Sequence, residues 1–235
     1  MGVYMKGEFI KRKFNNVINK LSKLPYEIRR HFVKLFVRNK DFSIISNNCW
    51  AGRVYQYLDM PYLSPTAGLY FFAPDYIKFV YNLKKYLEAP LKFIEPEQSK
   101  YYDELKSRNQ LDKPIGKILD IEIVFLHYAT KEEAEEKWNR RKVRVNFDHI
   151  IIKFSRMDLC TCKEMEEFDS LPFSNKFLLN NRKPLMYKSE VYWNEEWRPE
   201  GICRDTNPFP GNISLVKLLN NSIVPYSYNG YFEEL

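Results

Sequence analysis

The chain has 235 residues, 45% hydrophobic and 16% aromatic, enough to bury a sizeable core. Its net charge of +7 is local: residues 1–40 carry 11 Lys or Arg against 2 Asp or Glu, and the rest is slightly acidic. Basicity confined to an N-terminal arm argues against a nucleic-acid-binding body and for an anionic surface or partner.

Cys49, Cys160, Cys162 and Cys203 form no paired Cys-x-x-Cys sets, and His31, His127 and His149 are not grouped with them. No metal and no cofactor is therefore assigned. No apolar run approaches bilayer length, and Met1 to Phe9 lack a secretory pattern. A cytoplasmic protein with reduced thiols is expected.

Residues 8–39 predict two basic amphipathic helices. Ile10, Phe14, Val17, Leu21 and Leu24 share one stripe of the first, and Ile28, Phe32 and Leu35 one face of the second. Such an arm suits an anionic membrane surface, or a helical hairpin packed on the body or on a second copy in a homo-oligomer. Residues 41–235 then form a single α/β domain.

Phe42 to Arg53 has the grammar of strand, tight turn and helix. Apolar Phe42, Ile44 and Ile45 end in Asn47 and Asn48, which tolerate left-handed backbone and cap helices. Ala67 to Phe72 predicts a strand or a ledge beside that turn. Ala73-Pro74-Asp75 is a helix start, with a stripe through Ile77, Val80, Leu83 and Leu87. A short strand at Leu91 to Ile94 and a polar excursion over 95–116 follow. Ile118 to His127 predicts one long strand, Leu119, Ile121 and Ile123 facing a core and Asp120 and Glu122 facing out.

Thr130 to Val145 is the clearest helix, with a capping box from Thr130 to Glu133 and charges ordered to suit the dipole. Ala134, Trp138, Arg141 and Val145 share a face, which puts Arg141 on the buried line. Phe147 to Phe154 is a buried strand, Thr161 to Phe168 a helix, Lys176 to Leu179 a strand and Ile213 to Asn220 a last helix. Strands alternating with helices predict a mainly parallel sheet with helices on both faces, preceded by the arm. Ligands of such sheets bind beyond the carboxyl ends of the strands. That rule collects Asn47-Asn48-Cys49, His127-Tyr128 and Ser155-Arg156-Met157-Asp158.

A helix starting at the 46–53 turn would aim free N–H groups at an anion, with Arg53 as counter-charge. The turn lacks the glycines of a P-loop or dinucleotide fingerprint. Cys49 at a helix start and His127 at a strand end are the catalytic candidates, as nucleophile and as general base. The structural alternatives are a small buried hydrophobe and a hydrogen-bonded core histidine. Asn47, Asn48, Trp50, Arg53, Tyr128 and Arg141 are the substrate-binding candidates. Asp75 and Asp158 are carboxylates that could equally serve as helix caps.

Several motifs occur together: Phe42 to Gly52, Ser64-Pro65-Thr66 with Gly68-Leu69, Pro74 to Phe79, Asp120-Ile121-Glu122, Phe125 to Tyr128 and Lys137 to Arg141. The set resembles an uncharacterised bacterial family, a domain of unknown function whose members are often labelled exopolysaccharide biosynthesis proteins. The resemblance covers about residues 40–220. It implies an α/β fold and a cytoplasmic role in making surface polysaccharide, and it carries no catalytic residues with it. The expected function is a transferase-type protein acting on an anionic sugar-linked small molecule at the 46–53 turn, held at the inner face of the membrane by its arm. The alternative is a non-catalytic carbohydrate or nucleotide-sugar binding partner.

Overall fold

The computed structural model describes residues 25–196, together with 198, 201–202, 205 and 215–221. The first predicted arm helix, to Leu24, lies outside the described residues.

A four-stranded parallel sheet, in the order β1-β5-β6-β7, forms the centre: β1 (Ser43–Ser46), β5 (Ile150–Ser155), β6 (Lys176–Asn180) and β7 (Glu190–Tyr192). Alternate side chains along these strands divide into two cores, as the period of two demands. Ile45, Ile152, Phe154 and Leu178 join one cluster, with α3 (Ala73–Tyr81), α4 (Leu83–Glu88), α6 (Lys131–Lys142) and α7 (Cys162–Ser170) against it. Ile44, Ile151, Phe177 and Leu179 face the other, which α1 (Tyr26–Phe36), α2 (Trp50–Leu58) and α8 (Leu215–Asn221) cover.

The long strand expected over 118–127 does not exist. A tight turn at Leu119 (φ +53°) and Asp120 folds the run into a hairpin of β3 (Ile115–Ile118) and β4 (Ile121–Val124). With β2 (Lys92–Ile94) it makes a separate antiparallel sheet, and the excursion between β2 and β3 carries the short helix α5 (Tyr102–Ser107). Leu119 is 48% exposed at the turn rather than in the core. Glu122 is buried, accepting hydrogen bonds from Ser99 Oγ and the Lys100 N–H, because it faces the excursion and not water.

The ledge from Gly68 to Phe72 joins the two sheets. Tyr70 pairs with Val124, the Phe71 N–H donates to Asn47 O at 2.9 Å, and the His127 N–H donates to Gly68 O at 3.0 Å. The end of β4 therefore lies beside the end of β1 although they belong to different sheets.

β1 is an edge strand, and its free edge is closed by side chains. Tyr55 Oη accepts from the Ile44 N–H, and Thr66 Oγ1 donates to Ile44 O and accepts from the Ser46 N–H.

α1 docks through Val33, with Val37 just beyond its end, and through Arg30 and Lys34, which pair with Asp59. The stripe expected to meet a membrane or pack on protein is open here: Ile28, Phe32 and Leu35 are all exposed. The buried line through Val33 and Val37 sets the orientation, with the two ion pairs beside it. Among the described residues no helix is long and apolar enough to cross a membrane.

Candidate functional site

The turn after β1 is committed to the protein's own architecture. Asn47 extends the parallel ladder by one step, its Nδ2 donating to Ser155 O and its Oδ1 accepting from the Ser155 N–H, both at 3.0 Å. Asn48 Oδ1 accepts from the Trp50 N–H and from Lys153 Nζ. Ser46 Oγ accepts from the Ala51 N–H at 3.2 Å. Two of the N–H groups at the start of α2 are thus already capped, which weakens the case for an anion over the turn itself. Trp50 is fully buried against Phe177, edge to face at 5.7 Å. The side chains of Asn47, Asn48 and Trp50 are therefore spent on folding, and none of the three lines the pocket described below.

Beneath the turn lies a buried polar network that periodicity did not single out. Lys153, in the middle of β5, has no exposed surface. Its Nζ donates to Asp205 and, at 3.0 Å, to Asn48 Oδ1; Ser155 Oγ also donates to Asp205. Asn48 Nδ2 donates to both Asp205 oxygens at 2.8 and 3.0 Å. Burial pushes the Lys153 amine down, and the adjoining Asp205 carboxylate opposes that shift. A lysine inside an apolar run was the signal available in the sequence. Its partner, 52 residues on, was not.

The other strand-end candidates meet at a pocket of about 290 Å³ beside α2 and α6. Cys49, Arg53, His127, Tyr128 and Arg141 all line it. Gln56, Tyr62, Glu133 and Lys137 complete the polar wall. Glu133, Lys137 and Arg141 stand at i, i+4 and i+8, a single stripe of α6, so the spacing that placed Arg141 on the inner line also marks its two neighbours. Thr130 caps this helix by accepting from the Glu133 N–H at 3.1 Å.

Arg141 is the unusual group. It is 6% exposed, and among the described residues no carboxylate pairs with it. Nη1 donates to Ala67 O at 3.1 Å and to Tyr128 Oη at 2.6 Å, and the guanidinium lies 4.3 Å from the Tyr62 ring centre. Tyr128 Oη in turn donates to Ala67 O, which fixes the guanidinium's orientation. Nε and Nη2, the edge that makes side-on forks, bond no described residue, and Arg141 lines the pocket. Gly68 (φ +82°) permits this arrangement, since a Cβ there would stand 3.0 Å from the Tyr128 ring.

Burial pushes the Cys49 thiol up to about 11, against an opposing pull from Arg53. The thiol is protonated near neutrality and lies 3.8 Å from Leu69 O, a poor setting for a nucleophile. Burial, then Arg53 and Lys113, hold the His127 ring below its ordinary 6.5, so it is neutral at pH 7 and able to accept a proton. Asp75 is occupied by Lys100 and the Glu122 N–H, and Asp158 by Arg108 at 2.6 Å, both away from the pocket. No three His, Cys, Asp or Glu side chains converge at metal-binding distance among the described residues.

The pocket sets three cations, Arg53, Lys137 and Arg141, against one carboxylate, Glu133. Fold and site together define an α/β protein with a basic pocket beyond the carboxyl end of its edge strand. The chain matches the domain of unknown function DUF1919 over residues 13–203 and belongs to that family. It is 33% identical over 154 residues to a Haemophilus influenzae (strain ATCC 51907 / DSM 11121 / KW20 / Rd) protein described as uncharacterized, covering 66% of this chain and 68% of that one.

Proposed function

We propose that this protein binds the anionic part of a sugar-linked small molecule in the Arg141 pocket and serves bacterial exopolysaccharide biosynthesis as a transferase-type protein. One observation carries the anion: a buried guanidinium lining the pocket, with no carboxylate partner among the described residues and with Nε and Nη2 bonding none of them. Leaving a charge buried without a counter-charge costs several kcal/mol, a cost that a bound anion offsets. The sugar and the pathway come from the family resemblance. In this reading His127, neutral and on the wall, takes the proton from the attacking hydroxyl, and Cys49 is a wall residue rather than a nucleophile.

Polysaccharide output from cells carrying single variants tests it. Arg141→Gln and His127→Ala should each lower output at least tenfold. Full output from Arg141→Gln would sink the proposal. Full output from His127→Ala with loss from Arg141→Gln would favour the non-catalytic binding partner.

The exposed stripe of Ile28, Phe32 and Leu35, flanked by Arg29, Arg38 and Lys40, supports a second reading: attachment to an anionic membrane surface on the cytoplasmic side. Flotation with vesicles containing phosphatidylserine should recover the native chain, and Phe32→Glu/Leu35→Glu should abolish recovery. Equal flotation of the two proteins would remove that reading. Dimer dissociation by the same pair of changes would point instead to a homo-oligomer.

A further inference from the structure

We infer that the pocket is built for a phosphate monoester on a group no larger than a monosaccharide, and does not enclose a nucleoside diphosphate sugar whole. The inference rests on the reading of the pocket as an anion site and narrows what that anion is.

Charge comes first. Three cations face one carboxylate, and the neutral His127 adds nothing at pH 7. The net excess is two positive charges. A phosphate monoester carries about −1.5 to −2 at that pH, whereas a carboxylate carries one negative charge. Geometry points the same way. Nε and Nη2 of Arg141 offer a planar side-on fork to two oxygens, a fit that phosphate shares with carboxylate. The third phosphate oxygen is left for a point charge, and Lys137 stands one helical turn back on the same stripe of α6. Among the described residues, a 3.6 Å contact with Glu136 is the one ion pair that competes for Lys137. A carboxylate would leave one positive charge of that excess unanswered.

Size sets the limit. A cavity of about 290 Å³ sits at the lower bound for small-molecule sites. A site at that bound suits a ligand the size of a phosphorylated hexose, with about sixteen non-hydrogen atoms. A nucleoside diphosphate sugar has more than twice as many. The lining beside the cations also suits hydroxyls: Gln56 and Glu133 supply amide and carboxylate groups of the kind that bond them. Gln56 Nε2 donates to Tyr62 Oη at 2.9 Å, so the same side chain can carry its carbonyl into the pocket.

Isothermal titration of the purified chain with glucose 1-phosphate, inorganic phosphate, glucuronate and UDP-glucose tests this. Glucose 1-phosphate is expected to bind at least tenfold more tightly than inorganic phosphate or glucuronate, and no more weakly than UDP-glucose. Lys137→Ala, a change on a partly exposed helix face, should weaken glucose 1-phosphate at least fivefold and glucuronate less than twofold. Arg141→Lys keeps the charge and should still lose tenfold, because it removes the fork. UDP-glucose binding tenfold more tightly than glucose 1-phosphate would overturn the size limit and leave the anion pocket standing. Equal affinity for glucuronate and glucose 1-phosphate would overturn the phosphate assignment. Binding of none of the four would overturn the anion pocket itself, and this inference with it.

Discussion

Lys153, inside β5, and Arg141, on α6, are both buried cations, and their surroundings differ in one respect. Lys153 donates to a buried carboxylate and an amide oxygen, and a hydroxyl also donates to that carboxylate. Arg141 has a carbonyl, a phenol and a ring face, and no carboxylate among the described residues. The first charge is complete within the chain and holds the segment at Asp205 against β5. The second is complete only when something from outside arrives. Burial alone therefore does not separate architecture from function; the missing counter-charge does.

The largest expected effect is on the complete pair. Lys153→Met should cost about 3–5 kcal/mol in urea unfolding, because Asp205 is left buried and unpaired. Lys153→Met combined with Asp205→Leu should cost less than the sum of the two single changes. Arg141→Gln should change stability by less than about 1 kcal/mol, since relief of an unpaired charge offsets two lost hydrogen bonds. A loss from Arg141→Gln as large as that from Lys153→Met would erase the distinction.

Cys49 borders both regions and sharpens the comparison by its chemistry. With the thiol held at about 11, only about one molecule in ten thousand carries a thiolate at pH 7. Alkylation of Cys49 by iodoacetamide, followed by mass spectrometry, should accelerate about tenfold per pH unit from 7 to 10. Reaction at pH 7 as fast as that of the exposed Cys162 would mean that the pocket stabilises a thiolate after all.

The smallest effect belongs to a solvated pair. Hydrogen bonds from Lys78 and then Tyr86 hold the Asp120 carboxyl at about 2 instead of 3.8. A lowered carboxyl pKa stabilises the fold above its ordinary value, and that contribution disappears as the pH falls through 2. The pair is about half exposed, so Asp120→Asn should cost less than about 0.5 kcal/mol at pH 7 and remove the acid dependence in that window.

The local grammar of strand, turn and helix from Phe42 to Leu58 was legible because Asn47 and Asn48 interrupt an apolar run sharply. The stripe of α6 was legible because charge order and spacing agreed, and it led to Arg141. The β3–β4 hairpin was not, because its turn is made by Leu119-Asp120. A leucine at positive φ gives no turn signal, and the surrounding isoleucines continue the apolar run. Merging the two strands made one sheet out of two. Trp50 and Phe32 were left open for a shared reason: an aromatic side chain fits a core, a ligand wall or a surface equally well until its neighbours are fixed. For Phe32 the deciding neighbours are Val33 and Val37, whose burial leaves its side chain on the open face.

The closed edge of β1 has a bearing on how copies of this chain meet. An unpaired edge strand is a template on which another strand can grow, and here the template is already filled by Thr66 and Tyr55. The Ser64-Pro65-Thr66 loop thus guards against aggregation as well as bracing a strand. Self-association is directed away from sheet extension on this side and toward side-chain surfaces such as the open stripe of α1.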